Sequence, residues 1–407
     1  MRHLTDPVEA LFERSGQGPL AGIVIADFGR VLAAPYCTML LADMGATVLK
    51  VESLEGDETR SWMPPIFEGA STYNLSINRN KHSIALDFRD ERDLVVAKSL
   101  AAQCDVLVEN FKPGGLARFG LDYAHVSAHN PDIIYASVTG FGTAGGADLP
   151  GYDLLVQGAA GLMSLTGDAD TVPYRAGLAV FDVFTGLHTC VAILAALQHR
   201  TKTREGQRVE VDLMSVALSS MVNQTAAYAI AGVTPQRIGN EHPSIYPYSP
   251  FPTSDGNLIV AIGNDRQFTA FARLIGAPGL STDRRFLTNA NRSVNRDELR
   301  PVIEVLLRAK QTAEWFRLFR AAGLPCAPIN SVAEGIEFAE AIGLEPIVTV
   351  GHGEKTQPGV KNPVTFSRTP VTYDFVPPKL NEGGDAIRAW LQQQKSHIPD
   401  RDPTRKY

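Results

Sequence analysis

Residues 22–52 read GIVIADFGRVLAAPYCTMLLADMGATVLKVE. GIVIADF (22–28) and ATVLKVE (46–52) are short apolar runs with many β-branched residues, the composition of strands. Between them APYCTMLLADMG (34–45) has a helical pattern closed by Gly45, because glycine enters the left-handed region without a Cβ penalty. Strand, helix and strand in this order predict a βαβ unit, and the same texture continues outward. SIALDF (83–88), DVLVENF (105–111), DIIYASVTGF (132–141) and QRVEVDLM (207–214) read as further strands. ERDLVVAKSLAAQ (91–103) reads as a helix with Leu94, Ala97 and Ala101 on one face, and a longer apolar helix follows at about 184–200. The expectation is an α/β fold with a mainly parallel sheet, right-handed crossovers and helices on both faces.

The chain has 407 residues and a mass of 44.0 kDa, which suggests two to three domains. Near residue 230 the texture changes: IGNEHPSIYPYSPFPTSDG (238–256) is rich in Pro, Gly and Ser, and Asp255-Gly256 marks a turn before the strand NLIVAIG. Helical patterns at 266–276, 295–309 and 312–322 complete a second, smaller α/β unit over about 230–325. Beyond LPCAPIN (324–330) the pattern weakens to a strand around 346–350 and a polar tail from Asp374 that wraps over the surface. A formal net charge of −6 argues against a general nucleic-acid or membrane-surface binder. No apolar run reaches the ~18 residues of a membrane span, and the start has no signal-type apolar stretch. The four cysteines are scattered without metal or disulfide spacing. Together these predict a soluble enzyme of the cytoplasm.

Gly140-Phe-Gly142-Thr-Ala-Gly145 matches G-x-G-x-x-G, but Gly146-Ala147-Asp148-Leu149-Pro150-Gly151 follows where a dinucleotide fingerprint needs a helix. A mobile active-site loop, a candidate lid, is the better reading. Phosphate-loop, nucleophile-elbow and zinc motifs are missing from the sequence, so neither ATP-driven nor metal-centred chemistry is expected. Asp182 is the one charged residue between Arg175 and Arg200. It reads as the N-cap of a helix beginning near Val183, which is compatible with a nucleophile held ionised at that helix N-terminus beside Gly186. Arg60, Arg79, Lys81, His82, Arg89, Lys112 and Arg118 crowd the first part of the chain. They read either as a solvated face or as a local site for a phosphorylated ligand.

Ordered blocks running from about Pro19 to Asn330 resemble the class III coenzyme A transferases, the CaiB/BaiF family. They include the stretch 18–52, GDETR (56–60), NRNKHSIALDF (78–88), DVLVENFKPGGLARFGLDY (105–123), GYDLLVQGAAGLMSLTG (151–167) and DVFTGLHTCVAILAALQHR (182–200). STYNLSINRNKHSI (71–84) and GNEHPSIYPYSPFPTSDG (239–256) look most like the succinate–hydroxymethylglutarate CoA-transferases. The resemblance implies a Rossmann-like large domain built from both chain ends, 1–229 and 326–407, a small inserted domain at 230–325, and an interlocked homodimer. It implies Asp182 as nucleophile, with Tyr152 and Asp153 as an active-site pair beside the thioester. Coenzyme A contacts would fall on Val31, Leu32, Leu86, Asp87, Phe88, Arg89, Asn110, Phe111 and Lys112, with Arg118 near the nucleotide end. Two expected features are replaced: no glycine run appears in the small domain, and PPKLNEGGDAI (377–387) stands in place of the usual C-terminal motif.

The implied reaction moves coenzyme A from an acyl-CoA, such as succinyl-CoA, to a carboxylic acid through an aspartyl anhydride and thioester. A carboxylate nucleophile suits an exchange between carboxylic acids, which needs neither ATP, metal nor nicotinamide. The partners would be the acyl-CoA, a small carboxylic (in particular dicarboxylic) acid and a second copy of the chain. The alternatives are a 2-methylacyl-CoA racemase or epimerase, in which histidine would stand where this chain has Tyr152, and a non-catalytic CoA-binding protein. Arg175, Arg237 and His242 are candidates for a remote carboxylate of the acid.

Overall fold

The computed structural model describes residues 6–397. Among them, two compact units separate: residues up to 160, 176–229 and 345 onward form the larger, and 161–175 with 230–344 form the smaller. The main sheet of the larger unit has six strands, β1 (Val24–Phe28), β2 (Thr47–Glu52), β3 (Lys81–Ala85), β4 (Val106–Glu109), β5 (Ile134–Thr139) and β6 (Gln207–Asp212). They lie in the order β3-β2-β1-β4-β5-β6, and every neighbouring pair is parallel. This is the strand order of a Rossmann-like sheet. Because β1 is followed on one side by β2 and on the other by β4, a crevice opens at their carboxyl ends, where ligands of such sheets bind.

Residues buried on both faces explain the apolar strands: β1 and β2 are buried throughout. Helix α1 (Ala33–Asp43) is buried along nearly its whole length, which is why its sequence lacks a polar face. Helix α2 (Glu91–Gln103) starts on its Asp90 cap and buries Ala97, Leu100 and Ala101. Shorter helices α3 (Asp153–Ala159) and α5 (Leu213–Ser220) flank the 24-residue α4 (Val180–Thr203). By length and composition alone α4 is apolar enough to span a membrane, contrary to the expectation drawn from the sequence. Here it packs along α1. At the crossing a Cβ on Gly186 would stand 2.7 Å from the Ala33 carbonyl oxygen and 3.0 Å from the Tyr36 ring. Glycine is needed there because two helix backbones nearly touch.

The smaller unit is built on an antiparallel sheet of β7 (Tyr248–Pro252), β8 (Asn257–Ala261) and β9 (Cys326–Pro328), in the order β9-β8-β7. Helices α6 (Asp265–Leu274), α7 (Arg296–Leu307) and α8 (Thr312–Ala321) close a core that includes Phe251, Phe268, Phe271, Trp315 and Phe319. The unit therefore runs to residue 344 and not to 325, because Cys326–Pro328 pairs with Leu258–Val260. β7 lies inside the segment read as turn-rich. Its two prolines are tolerated because it is an edge strand with one unpaired side.

After residue 345 the chain forms the hairpin β10 (Ile347–His352) and β11 (Lys355–Val360) and returns to edge strand β3. The Asn80 N–H donates to the Phe375 carbonyl (2.9 Å), the Gly383 N–H to that of Ser83 (2.9 Å), and the Ala85 N–H to Asn381 Oδ1 (3.0 Å). Helix α9 (Gly384–His397) then buries Ile387, Trp390 and Leu391 in the same core as α2. PPKLNEGGDAI thus covers the open edge of the main sheet.

Candidate active site

The loop leaving β1 is tied down one backbone group at a time. The Gly29 N–H donates to Asp27 Oδ1 (2.9 Å), and the Gly29 carbonyl accepts from Lys50 Nζ (2.9 Å). The Arg30 N–H donates to Asn110 Oδ1 (2.9 Å) while its carbonyl accepts from Asn110 Nδ2 (2.8 Å), joining the ends of β1 and β4. The Val31 N–H donates to the Asp57 carboxylate (3.4 and 3.3 Å). Above this loop opens a cavity of about 380 Å³. Its walls are Arg30–Ala33 and Glu58, Asn110–Pro113, Val138–Gly142, parts of 146–152, Leu213 and Asp182. The crevice expected from strand order is thus a real cavity, of the size that small-molecule sites have.

Asp182 sits in the first turn of α4, which begins at Val180 with Ala179 as its N-cap. The earlier start overturns the N-cap reading of Asp182. Its carboxylate accepts no hydrogen bond from a described residue, and burial followed by the negative charge of Asp153 pushes its pKa up to about 7. Asp153 takes the capping role instead: its Oδ1 accepts from the N–H groups of Phe181 (2.8 Å) and Asp182 (3.2 Å). Its Oδ2 accepts from Gln157 Nε2, and Gln157 Oε1 in turn accepts from the Ala176 N–H (2.8 Å). Asp153 is buried and does not line the cavity, whereas neighbouring Tyr152 is 56% exposed and does. Asp153 therefore fixes the helix end that carries Asp182.

Of the other expected contacts, Val31, Leu32, Asn110, Phe111 and Lys112 line the cavity with Asp182 and Tyr152. Leu86, Asp87, Phe88, Arg89 and Arg118 do not. Leu86 is buried; Phe88 packs against Phe28 (5.8 Å), Phe111 (6.5 Å) and Phe119 (5.6 Å). Asp87 holds Arg89 at 2.9 Å, and Arg118 lies 4.6 Å over the Phe119 ring. Of these, Phe88 packs against Phe111 of the cavity wall.

Most of the basic cluster is neither a solvated face nor a phosphate site. Lys81 is fully enclosed and pairs with Asp27 (3.0 Å), Arg79 with Asp43 (2.7 Å) and Arg60 with Glu52 (2.7 Å). Burial takes the His82 imidazole down to about 4 while its Nε2 donates to the Leu11 carbonyl (3.1 Å), so it carries no charge near neutrality. Lys112 remains at the cavity without an ion pair among the described residues. The structure adds Arg30, which the sequence reading passed over: its guanidinium lies 5.0 Å over the Phe111 ring and 3.8 Å from Glu58. Its position directly after β1, beside the switch point, was the available signal. Arg175, Arg237 and His242 belong to the smaller unit, where Arg237 donates to the Asp168 and Thr171 carbonyls (3.3 and 3.0 Å). Among the described residues, no cluster of His, Cys, Asp and Glu could hold a metal ion.

Comparison with known proteins shows the family. Residues 20–384 match the family model described as CoA-transferase family III. Over 92% of this chain and 96% of the relative, the chain is 41% identical to the succinate–glutarate CoA-transferase of Agrobacterium fabrum. It is 39% identical to the succinyl-CoA:glutarate CoA-transferase of Mus musculus, over 89% of this chain and 84% of that one. A crystal structure of a CaiB/BaiF family protein from Brucella suis superposes with a TM-score of 0.82 at 40% identity, covering 92% of this chain and all of that one. A parallel sheet with its cavity at the switch point, a desolvated aspartate opening on that cavity and these likenesses converge: the chain belongs to CoA-transferase family III and is a CoA-transferase.

Proposed function

We propose that this enzyme moves coenzyme A from succinyl-CoA to a second dicarboxylic acid, such as glutarate, with Asp182 as the nucleophile. The observation that carries this reading is the Asp182 carboxylate, free of hydrogen bonds from the described residues and desolvated at the cavity wall. The substrates follow from the names of the relatives. A carboxylate whose pKa is raised is a better nucleophile than the acids it exchanges, and half of it is still ionised at neutral pH. Asp182 attacks the thioester carbonyl; the C–S bond breaks, leaving a mixed anhydride and a CoA thiolate. The thiolate attacks the aspartyl carbonyl, releases the donor carboxylate and leaves an aspartyl-CoA thioester. The acceptor carboxylate attacks this thioester, and the thiolate then takes the acceptor acyl group, restoring the Asp182 carboxylate. Each step exchanges one carboxyl derivative for another, so no ATP is consumed. Apolar walls from Val31, Leu32, Phe111, Phe141 and Leu213 keep water from the anhydrides. Lys112 and Arg30 are placed for anionic groups of the ligand.

The test is a panel of dicarboxylic acids incubated with succinyl-CoA, with new CoA esters measured. Hydroxylamine should trap an acyl group on wild type. An Asp182→Ala variant with the wild-type rate would remove Asp182 from the mechanism. We further propose that the chain acts as an interlocked homodimer in the cytoplasm. The family resemblance supports the dimer, as do the exposed apolar residues Leu154, Leu155, Leu187, Val191 and Val222 of the larger unit, and the scattered, unpaired cysteines support a reducing compartment. Light scattering after gel filtration and cell fractionation test the two statements; a monomer, or a membrane-bound pool, would contradict them.

A further inference from the structure

Val31 has a φ of +66°. A valine avoids this left-handed conformation because its branched Cβ crowds the backbone, and such a conformer persists only where the surroundings over-determine it. The surroundings here are a buried ion pair. Lys50 and Asp57 lie 3.0 Å apart with almost no exposure of either side chain. Lys50 Nζ reaches up to the Gly29 carbonyl and the Asp57 carboxylate to the Val31 N–H, so each partner holds one end of the loop. Asp57 is itself fixed by the Thr59 N–H (3.0 Å) and hydroxyl (2.8 Å), and the Asp57 N–H donates to Glu52 Oε1 (3.0 Å). Burial pushes the Asp57 carboxyl up, but Lys50 and the Thr59 hydrogen bonds outweigh it and hold it below its usual range. A Cβ on Gly29 would lie 2.5 Å from the Ala34 side chain, so only glycine fits where the loop packs against the start of α1.

We propose that Lys50 and Asp57 are positioning residues for CoA transfer: their buried pair holds Val31 left-handed, which sets the turn entering α1 against the cavity that Asp182 opens on. Neither residue touches the cavity. The pair acts through the loop, and a charge inside the fold is spent on shaping a ligand wall. This inference rests on the cavity being the transfer site.

The experiment compares Asp57→Asn, Val31→Gly and the double variant by melting and by steady-state kinetics with succinyl-CoA and glutarate. Glycine adopts φ +66° without strain, so it no longer needs the clamp. Asp57→Asn should lower kcat/KM about ten-fold, mainly through KM for the acyl-CoA, in protein that is still folded. Val31→Gly in the Asp57→Asn background should restore kcat/KM to within about three-fold of Val31→Gly alone. Equal losses from Asp57→Asn in the wild-type and Val31→Gly backgrounds, or unchanged kinetics in Asp57→Asn, would overturn the proposal. If Asp57→Asn does not fold, Thr59→Val loosens Asp57 more gently and is read the same way, with rescue by Val31→Gly required. Asp182→Ala run in parallel separates the cases: an active Asp182→Ala sinks the site itself, whereas an inactive one with no Val31→Gly rescue sinks only the clamp.

Discussion

Asp182→Asn should make the protein inactive and, above neutrality, more stable. The folded protein holds the Asp182 proton up to about pH 7, whereas the unfolded chain releases it near the ordinary 3.8. A carboxyl with a raised folded pKa binds protons more tightly when folded, so wild-type stability falls as pH rises from 3.8 through 7. At about 1.36 kcal/mol per pH unit, the cost of charging Asp182 is about 4 kcal/mol at pH 8 and about 1.6 kcal/mol at pH 5. Asparagine keeps the shape without the charge. It forfeits the favourable interaction of a carboxylate with the helix N-terminus, about 0.3–1 kcal/mol, which is too small to reverse the sign. Urea unfolding of both proteins at pH 5 and pH 8 measures the difference. The expected result is a gain in stability for Asp182→Asn that is about 2–3 kcal/mol larger at pH 8 than at pH 5. A gain that does not grow with pH, or a variant less stable than wild type at pH 8, would refute the desolvated-carboxylate account of the site.

The same ionisation should govern rate: kcat/KM of wild type falls with pH below about 7. In Asp153→Asn the fall should move to lower pH by less than ~1.5 units, because burial contributes more than Asp153 to the raised pKa. An unmoved profile would show that Asp153 does not act on Asp182 through its charge. Gly186→Ala should destabilise the fold by about 1–3 kcal/mol in thermal melts, since the added methyl meets the Ala33 carbonyl, a backbone atom. Lys112→Ala should raise KM for the acyl-CoA about ten-fold with kcat within about two-fold, the pattern of lost uniform binding.

The family resemblance pointed to much of the cavity wall, and strand order explains why those residues meet. Val31 and Leu32 follow β1, and Asn110, Phe111 and Lys112 follow β4, so strand order alone brings them together. Leu86 to Arg89 follow β3 in the same way, yet β3 is the edge strand two places from the switch point. Position after a strand says which end of the sheet a residue occupies, not how near the crevice it stands.

What the sequence by itself determined is the alternation of strands and helices, hence a parallel sheet with a ligand crevice, and the isolation of Asp182 in an apolar helix. Periodicity and composition are local, and they are enough for that. Only the tertiary structure decided which carboxylate caps α4 and which is left bare, because Asp153 reaches the Phe181 and Asp182 N–H groups from another helix. It also decided that Lys50, Arg79 and Lys81 lie inside the fold beside Asp57, Asp43 and Asp27. A charge in a sequence carries no mark of its distant partner, and burial with that partner is what turns an apparent basic strip into an internal framework.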